Sequence, residues 1–304
     1  MSARKRASMS ETPAAAPPSL QTRSGARQRQ MSLTPELVAL CYRDEPDPGL
    51  DARLTPMEDE DYRALARDLD AQSGGAPLWV FAYGSLIWKP EFDPVESRRA
   101  TAYGWHRAFS LKIDRWRGSR AAPGLMMALE RGGRCDGVIY RLADGDRIAQ
   151  IERLLRRELS SRETISTVRW MPVRTPEGPV SEGPANTNTN TNTNVNVLVL
   201  GFWLGSTGHD AVARLPLEEV ARILARACGH VGSGAEYLYN TVLHLEAAGI
   251  HDRNLWRLQA LVAEEIRSLY AQDGASTPLT GEAKAALQAT PAIKVGAEKA
   301  CDPV

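Results

Sequence analysis

From Leu78 to Tyr83 every side chain is apolar or aromatic; the run stops at Gly84 and Ser85, and Leu86, Ile87 and Trp88 follow. A short apolar stretch rich in Val and aromatics, closed by a turn residue, predicts a strand buried on both faces. Gly84 has no Cβ, so the backbone there can turn tightly or lie against a ligand. The pattern predicts either a core strand that delivers Tyr83, Ser85 and the amides around Gly84, Ser85 and Leu86 to a pocket, or a core strand ending in an ordinary turn.

The flanking patterns fill in an architecture. Thr34-Pro35 and Thr55-Pro56 each set a capping hydroxyl before a proline, the preferred entry to a helix. The turn-rich stretch from Glu45 to Gly49 lies between them. Strand-like segments follow at 100–103 and 106–113, where Arg107, Phe109, Leu111 and Ile113 share one face. Segments 125–130 and 135–142 flank Arg131-Gly132-Gly133-Arg134, a hairpin signal. A helix to about Leu159 comes next, then strands at 167–174 and 195–204. Three helices close the series: 216–228 before Gly229, 235–248 before Gly249, and 253–270 after a capping Asp252. Strands in hairpin order with helices inserted and appended predict an α+β fold, a small and mostly antiparallel barrel or sheet with flanking helices.

One position violates the pattern of its helix. Stepped at about 100° per residue from Ile148, the residues Ile148, Ile151, Leu154, Leu155 and Leu159 form one apolar arc. Glu158 falls at about 280°, inside that arc, while Arg153, Arg156 and Arg157 take the polar side. A carboxylate aimed at a core is unfavourable unless it is paired or faces a pocket. Partial burial raises its pKa and suits it to general-base work. The helix could also fray before Glu158, or Glu158 could pair with a buried Arg. Other nucleophiles fit less well: Tyr83-Gly84-Ser85-Leu86 is not a Gly-x-Ser-x-Gly elbow, and Cys135, in mid-strand, reads as a buried small hydrophobe.

Composition narrows the class. The 304 residues hold 37 Lys+Arg and 37 Asp+Glu, so no broad electrostatic footprint for nucleic acid or an anionic membrane is expected. No apolar run is long enough to span a bilayer. Cys41, Cys135, Cys228 and Cys301 are widely spaced, and the five histidines form no ligand pair. Neither a disulfide framework nor a metal site is expected, and a reducing cytoplasm fits. Residues 1–31 read as a disordered basic tail rather than a transit peptide, and Met31 could be a natural start. Residues 32–74 read as a helical lead-in and 75–272 as the main domain. The Asn-Thr repeat within 176–194 lengthens a loop, and 273–304 forms a loose tail.

The motifs together resemble ChaC-type γ-glutamylcyclotransferases. The resemblance runs through Trp79 to Trp88, Gly104 to Phe109, Arg117-Gly118, Pro123 to Met126, Gly137 to Leu142, Leu155 to Leu159 and Gly232 to Leu238. Leu33 to Val38, with Pro46 to Gly49, is similar to the lead-in of bacterial members. The resemblance implies a small mixed barrel with flanking helices. It implies cleavage of glutathione to 5-oxoproline and cysteinylglycine without metal or cofactor, and Glu158 as acid/base. On this likeness Tyr83, Tyr140 and Tyr237 are candidate hydrogen bonders to substrate, with the amides of Gly84, Ser85 and Leu86, and Arg117 is a candidate for the glycine carboxylate. Ala82 stands where many members have Gly. Ser160 to Ile165 replaces a Gly-Tyr element and is two residues longer before Trp170. Action on other γ-glutamyl amines or amino acids, or a silent peptide-binding pocket, are the alternatives. The oligomeric state is left open, and a monomer is compatible.

Overall fold

A computed structural model of the chain describes residues 30–92, 94–176, 195–203 and 214–272; the Asn-Thr repeat and both tails lie outside these. The lead-in forms two helices. In α1 (Pro35–Leu40), Thr34 accepts from the Leu37 amide as expected. The second, α2 (Asp59–Gln72), starts later than Thr55-Pro56 predicts, because Glu58 and Asp61 make a reciprocal capping box. Thr55 instead donates its amide to Glu163, and Pro56 bridges to Ser161.

Five strands close a barrel in the order β1-β3-β2-β4-β5. They are β1 (Trp79–Ala82), β2 (Glu96–Ile113), β3 (Gly124–Arg141), β4 (Val168–Thr175) and β5 (Val195–Phe202). All pairings are antiparallel except β1 with β5, which run parallel through Val80 and Leu200. Alternation splits β1 as a strand buried on both faces must. Trp79 and Phe81 face the lumen with Ala100, Trp105, Leu129, Ile139, Val173 and Val199, whereas Val80 and Ala82 face the helices. The lumen is filled by side chains from all five strands and is a packed core. Cys135 lies in it, and burial pushes its thiol up to about 11.

The glycine pair at 132–133 does not make a hairpin turn. β2 and β3 pair along their whole length, and the register slips there because Gly132 and Gly133, both at positive φ, face only Gly104. This is a bulge in two long strands, and the turn between them falls at 114–123. A second slip, at Ser110, sets Phe109 opposite Met127 and Leu111 opposite Met126.

The helices pack on the outer face of the barrel. The third helix, α3 (Arg147–Glu158), buries Gln150, Ile151, Leu154 and Leu155. Ile148, counted in the apolar arc from sequence, is 40% exposed. Gln150, about 200° round the helix from Ile148, extends the buried arc at its other end, donating to the Ala143 and Gly145 carbonyls and accepting from the Ala143 amide. The buried arc is therefore rotated away from Ile148, and Glu158 remains on it. The last three helices are α4 (Leu217–Arg226), α5 (Gly234–Ala247) and α6 (Arg253–Gln272). Between α4 and α5, β6 (Cys228–Gly229) and β7 (Gly232–Ser233) form a small ribbon. Asp252 caps α6 by accepting from the amides of Asn254 and Leu255. No helix among the described residues is long and apolar enough to cross a membrane.

Candidate active site

The C-terminal ends of the parallel neighbours β1 and β5 come level at Ala82 and Phe202, and a pocket opens there. Its empty space, open mouth included, is about 330 Å³, and it is lined by Tyr83, Gly84, Ser85, Leu86, Met126, Met127, Glu158, Phe202 and Tyr237.

Glu158 enters from the last position of α3. Its helix end is fixed from the lead-in: the Tyr62 hydroxyl on α2 donates to the Leu159 carbonyl at 2.9 Å. Arg156 lies over the Tyr62 ring and pairs with Asp59. The Glu158 side chain keeps 22% of its surface open, toward the pocket. Burial raises its pKa, and Arg157, whose Nε donates to Oε1 at 3.1 Å, pulls the other way. The negative end of the helix dipole also disfavours the carboxylate at this position. Arg157 is itself fixed, donating from Nη1 to Glu91 at 3.1 Å.

The loop from Tyr83 to Lys89 is held at several of its polar groups. Arg107 donates to the Tyr83 carbonyl at 2.7 Å. The Gly84 carbonyl accepts from Ile87, and the Ser85 carbonyl from Trp88 and Lys89. The Ser85 amide donates to the Tyr237 hydroxyl at 3.2 Å. A Cβ on Gly84 would lie 2.7 Å from that hydroxyl, so only glycine fits this approach. The amides of Gly84 and Leu86 have no backbone acceptor among the described residues. Burial, and then the Glu158 charge, hold the phenols of Tyr83 and Tyr237 above the usual tyrosine range, so both stay protonated.

Six of the residues singled out from sequence thus meet in one place: Tyr83, Gly84, Ser85, Leu86, Glu158 and Tyr237. Two stand one layer behind. The Tyr140 hydroxyl donates to the Ile87 carbonyl at 3.2 Å, and burial pushes its pKa up to about 12. Arg117 is buried against α5, bonding the Ser233 carbonyl at 2.9 Å and Glu236 at 2.7 Å, and stacks on the Trp88 and Tyr237 rings. Neither lines the pocket. Met126, Met127 and Phe202 do: Met126 ends the Pro123–Met126 stretch of the resemblance, while nothing in the sequence marks Met127 or Phe202 as lining residues. The two methionines are consecutive on β3, opposite Leu111 and Phe109 where the register slips at Ser110. The segment after Glu158 lies away from the pocket: it forms a short 3-10 turn, Arg162–Thr167, tied to the lead-in through Arg162 and the Thr55 carbonyl.

Residues 78–265 match the family described as ChaC-like protein. The chain belongs to the ChaC-like family. The glutathione-specific gamma-glutamylcyclotransferase of Escherichia coli (strain K12) is 31% identical, over 63% of this chain and 75% of that protein. Gamma-glutamylcyclotransferase 2-1 of Arabidopsis thaliana is 30% identical, over 63% and 88%. The fold is shared with the crystal structure of a yeast gamma-glutamyl cyclotransferase specific to glutathione, with a TM-score of 0.53 and 20% identity, over 62% of this chain and 97% of that one. The family match spans every pocket residue, from Tyr83 to Tyr237.

Proposed function

We propose that this ChaC-like protein cyclises the γ-glutamyl group of glutathione, releasing 5-oxoproline and cysteinylglycine, with Glu158 as general acid/base. The observation that carries the residue assignment is the inward carboxylate of Glu158, set in one pocket with the Gly84-Ser85 loop and raised in pKa by burial.

The substrate brings its own nucleophile, the α-amine, positioned to close a five-membered ring on the γ-carbonyl carbon. Intramolecular orientation can supply about 7–11 kcal/mol of such a barrier. The protein then has to fold the chain, move protons and stabilise the oxyanion. Two protons leave the α-ammonium in all, and two arrive on the departing cysteinyl nitrogen to give a second ammonium. Glu158, alternating between carboxylate and acid, carries them from one nitrogen to the other. As the carbon–nitrogen bond to nitrogen of the α-amine forms, the γ-carbonyl becomes an oxyanion, and the unpaired amides of Gly84 and Leu86 are the donors for it. Collapse breaks the bond to cysteine. Tyr83 and Tyr237, kept neutral, donate without competing for the proton, while Leu86, Met126, Met127 and Phe202 give the pocket an apolar side.

Tyr140 and Arg117 serve by supporting the loop and the start of α5 rather than by touching substrate. Buried free thiols at Cys41, Cys135 and Cys228 suit a reducing cytoplasm, where glutathione is the substrate at hand. Purified protein with glutathione and a chelator is expected to release 5-oxoproline and cysteinylglycine in equal amounts. Faster turnover of γ-glutamyl-alanine would move the assignment to another γ-glutamyl substrate, and binding of glutathione without product would make this a silent pocket.

A further inference from the structure

Arg107 lies on β2 behind the pocket, with only 3% of its side chain exposed. Its three nitrogens have three different partners. Nη1 donates to the Tyr83 carbonyl at 2.7 Å, Nη2 to the Asp136 carbonyl, and Nε pairs with Asp252 at 3.1 Å.

The place of Asp136 in the ladder gives these contacts their meaning. The Leu142 amide donates to the Leu78 carbonyl at 3.0 Å, so Leu78 and Leu142 are a hydrogen-bonded pair of the β1–β3 ladder. In an antiparallel ladder such pairs recur at every second residue. With the observed register they fall at Val80–Tyr140 and Ala82–Val138, and the next would be Gly84–Asp136. Had β1 run on, the Gly84 amide would donate to the Asp136 carbonyl. That carbonyl is instead occupied by Arg107, and the Gly84 carbonyl accepts from Ile87. The second contact fixes the direction of the freed amide. No peptide in the described residues is cis, so the Gly84 N–H points opposite to the Tyr83 carbonyl of the same peptide unit. With that carbonyl held on Arg107, behind the wall, the N–H faces away from Arg107 and toward the pocket that Gly84 lines.

We infer that Arg107 is a positioning residue: its guanidinium takes the carbonyl that would otherwise capture the Gly84 amide, and so ends β1 and leaves that amide free for substrate. Asp252 balances its charge and, by capping α6, fixes it in place. Arginine suits the task because a planar fork reaches two carbonyls and a carboxylate at once, and a lysine ammonium does not. The role rests on the cyclotransferase reading for its consequence in catalysis, but not for its consequence at Gly84.

The test uses the full chain labelled with carbonyl-13C tyrosine and 15N glycine. Tyr-Gly occurs only at Tyr83-Gly84 and Tyr103-Gly104, so two amide signals report. In Arg107→Lys the Tyr83 carbonyl is expected to move upfield, and the Gly84 amide to move downfield and exchange more slowly as it bonds Asp136. The Tyr103-Gly104 pair should stay put. In the same variant kcat/KM for glutathione is expected to fall about 100-fold, the loss typical of one misplaced oxyanion donor. A folded Arg107→Lys with unshifted Tyr83 and Gly84 signals, or with kcat/KM within about threefold of the parent, overturns the inference. Should the variant not fold, the parent protein still decides: 5-oxoproline must shift the Gly84 amide and leave Gly104 alone, and an unmoved Gly84 overturns the inference. Failure of the parent protein to turn over glutathione would count against the cyclotransferase reading, while the Tyr83 carbonyl shift would still judge Arg107.

Discussion

Arg157 Nε and Glu158 Oε1 are 3.1 Å apart, so the residue that leaves the helix on its polar side reaches back to the carboxylate that leaves it on the buried side. Burial pushes the Glu158 pKa up, and this contact restrains the rise. Arg157→Met removes the restraint. The acidic limb of kcat/KM against pH, which reports the base in the free enzyme, is expected to move to higher pH in Arg157→Met. An unmoved limb with activity retained would separate the ion pair from the base.

Glu158→Gln is expected to reduce turnover by at least about 100-fold, the usual contribution of a general acid/base, and to leave the protein folded. Its stability should depend on pH in a particular way. At pH below the titration of an unfolded glutamate, both states of the parent are protonated and the carboxyl costs nothing extra. As pH rises from there to the raised native pKa, the native state binds the proton more tightly than the unfolded state, and stability falls. Above the native pKa the whole cost of the buried charge is present, and glutamine lacks it. Arg157 keeps Glu91 as a partner in the variant. The melting temperature of Glu158→Gln should therefore exceed that of the parent at neutral pH, with the gain disappearing as the pH is lowered toward that of unfolded glutamate. A lower melting temperature at neutral pH would mean that Glu158 stabilises the fold rather than straining it.

The parts legible in sequence were those governed by local periodicity. The strand at Trp79–Ala82, the glycine after it and the misplaced carboxylate at Glu158 each announce themselves within a few residues. What escaped were features created by register and by long-range partners. Two glycines at 132–133 look like a hairpin turn, but their neighbours pair with β2 on both sides, and only the partner strand reveals a bulge. Tyr140 and Arg117 carry the right chemistry for a pocket, yet their hydroxyl and guanidinium are committed to the Ile87 carbonyl and to Glu236. Met127 and Phe202 look like core, and only the strand ends that meet at the pocket turn them toward it.

Gly84→Ala tests how closely the loop and α5 fit. The added methyl would sit 2.7 Å from the Tyr237 hydroxyl and 3.5 Å from the Met127 sulfur. The tyrosine ring is wedged edge-on between Trp88 and Phe109, so it cannot yield freely. The hydroxyl must leave the Ser85 amide, and losing that part-buried hydrogen bond costs about 1 kcal/mol. The expected result is a lower melting temperature together with a loss of kcat/KM that Tyr237→Phe reproduces in part, since both changes take the acceptor away from Ser85. Melting curves and glutathione turnover on the two variants check it; full activity in Gly84→Ala would show that the loop does not need this contact.

The lead-in can be tested by one oxygen atom. The Tyr62 hydroxyl on α2 donates to the carbonyl of Leu159, the residue directly after Glu158, across 97 positions of sequence. A helix leaves its last carbonyls without intrahelical partners, and this one is satisfied by a residue that α2 supplies. Tyr62→Phe keeps the ring under Arg156 and removes only the hydroxyl, so the packing of α2 on α3 should survive. The carbonyl then loses a buried partner, and stability should fall by about 1 kcal/mol, the typical net worth of a hydrogen bond. If the hydroxyl also aims Glu158, kcat should fall more than KM rises, because a displaced base weakens the transition state more than the bound substrate. Urea unfolding and steady-state kinetics on Tyr62→Phe measure the two effects separately: unchanged kcat with reduced stability would assign the lead-in to holding the fold alone.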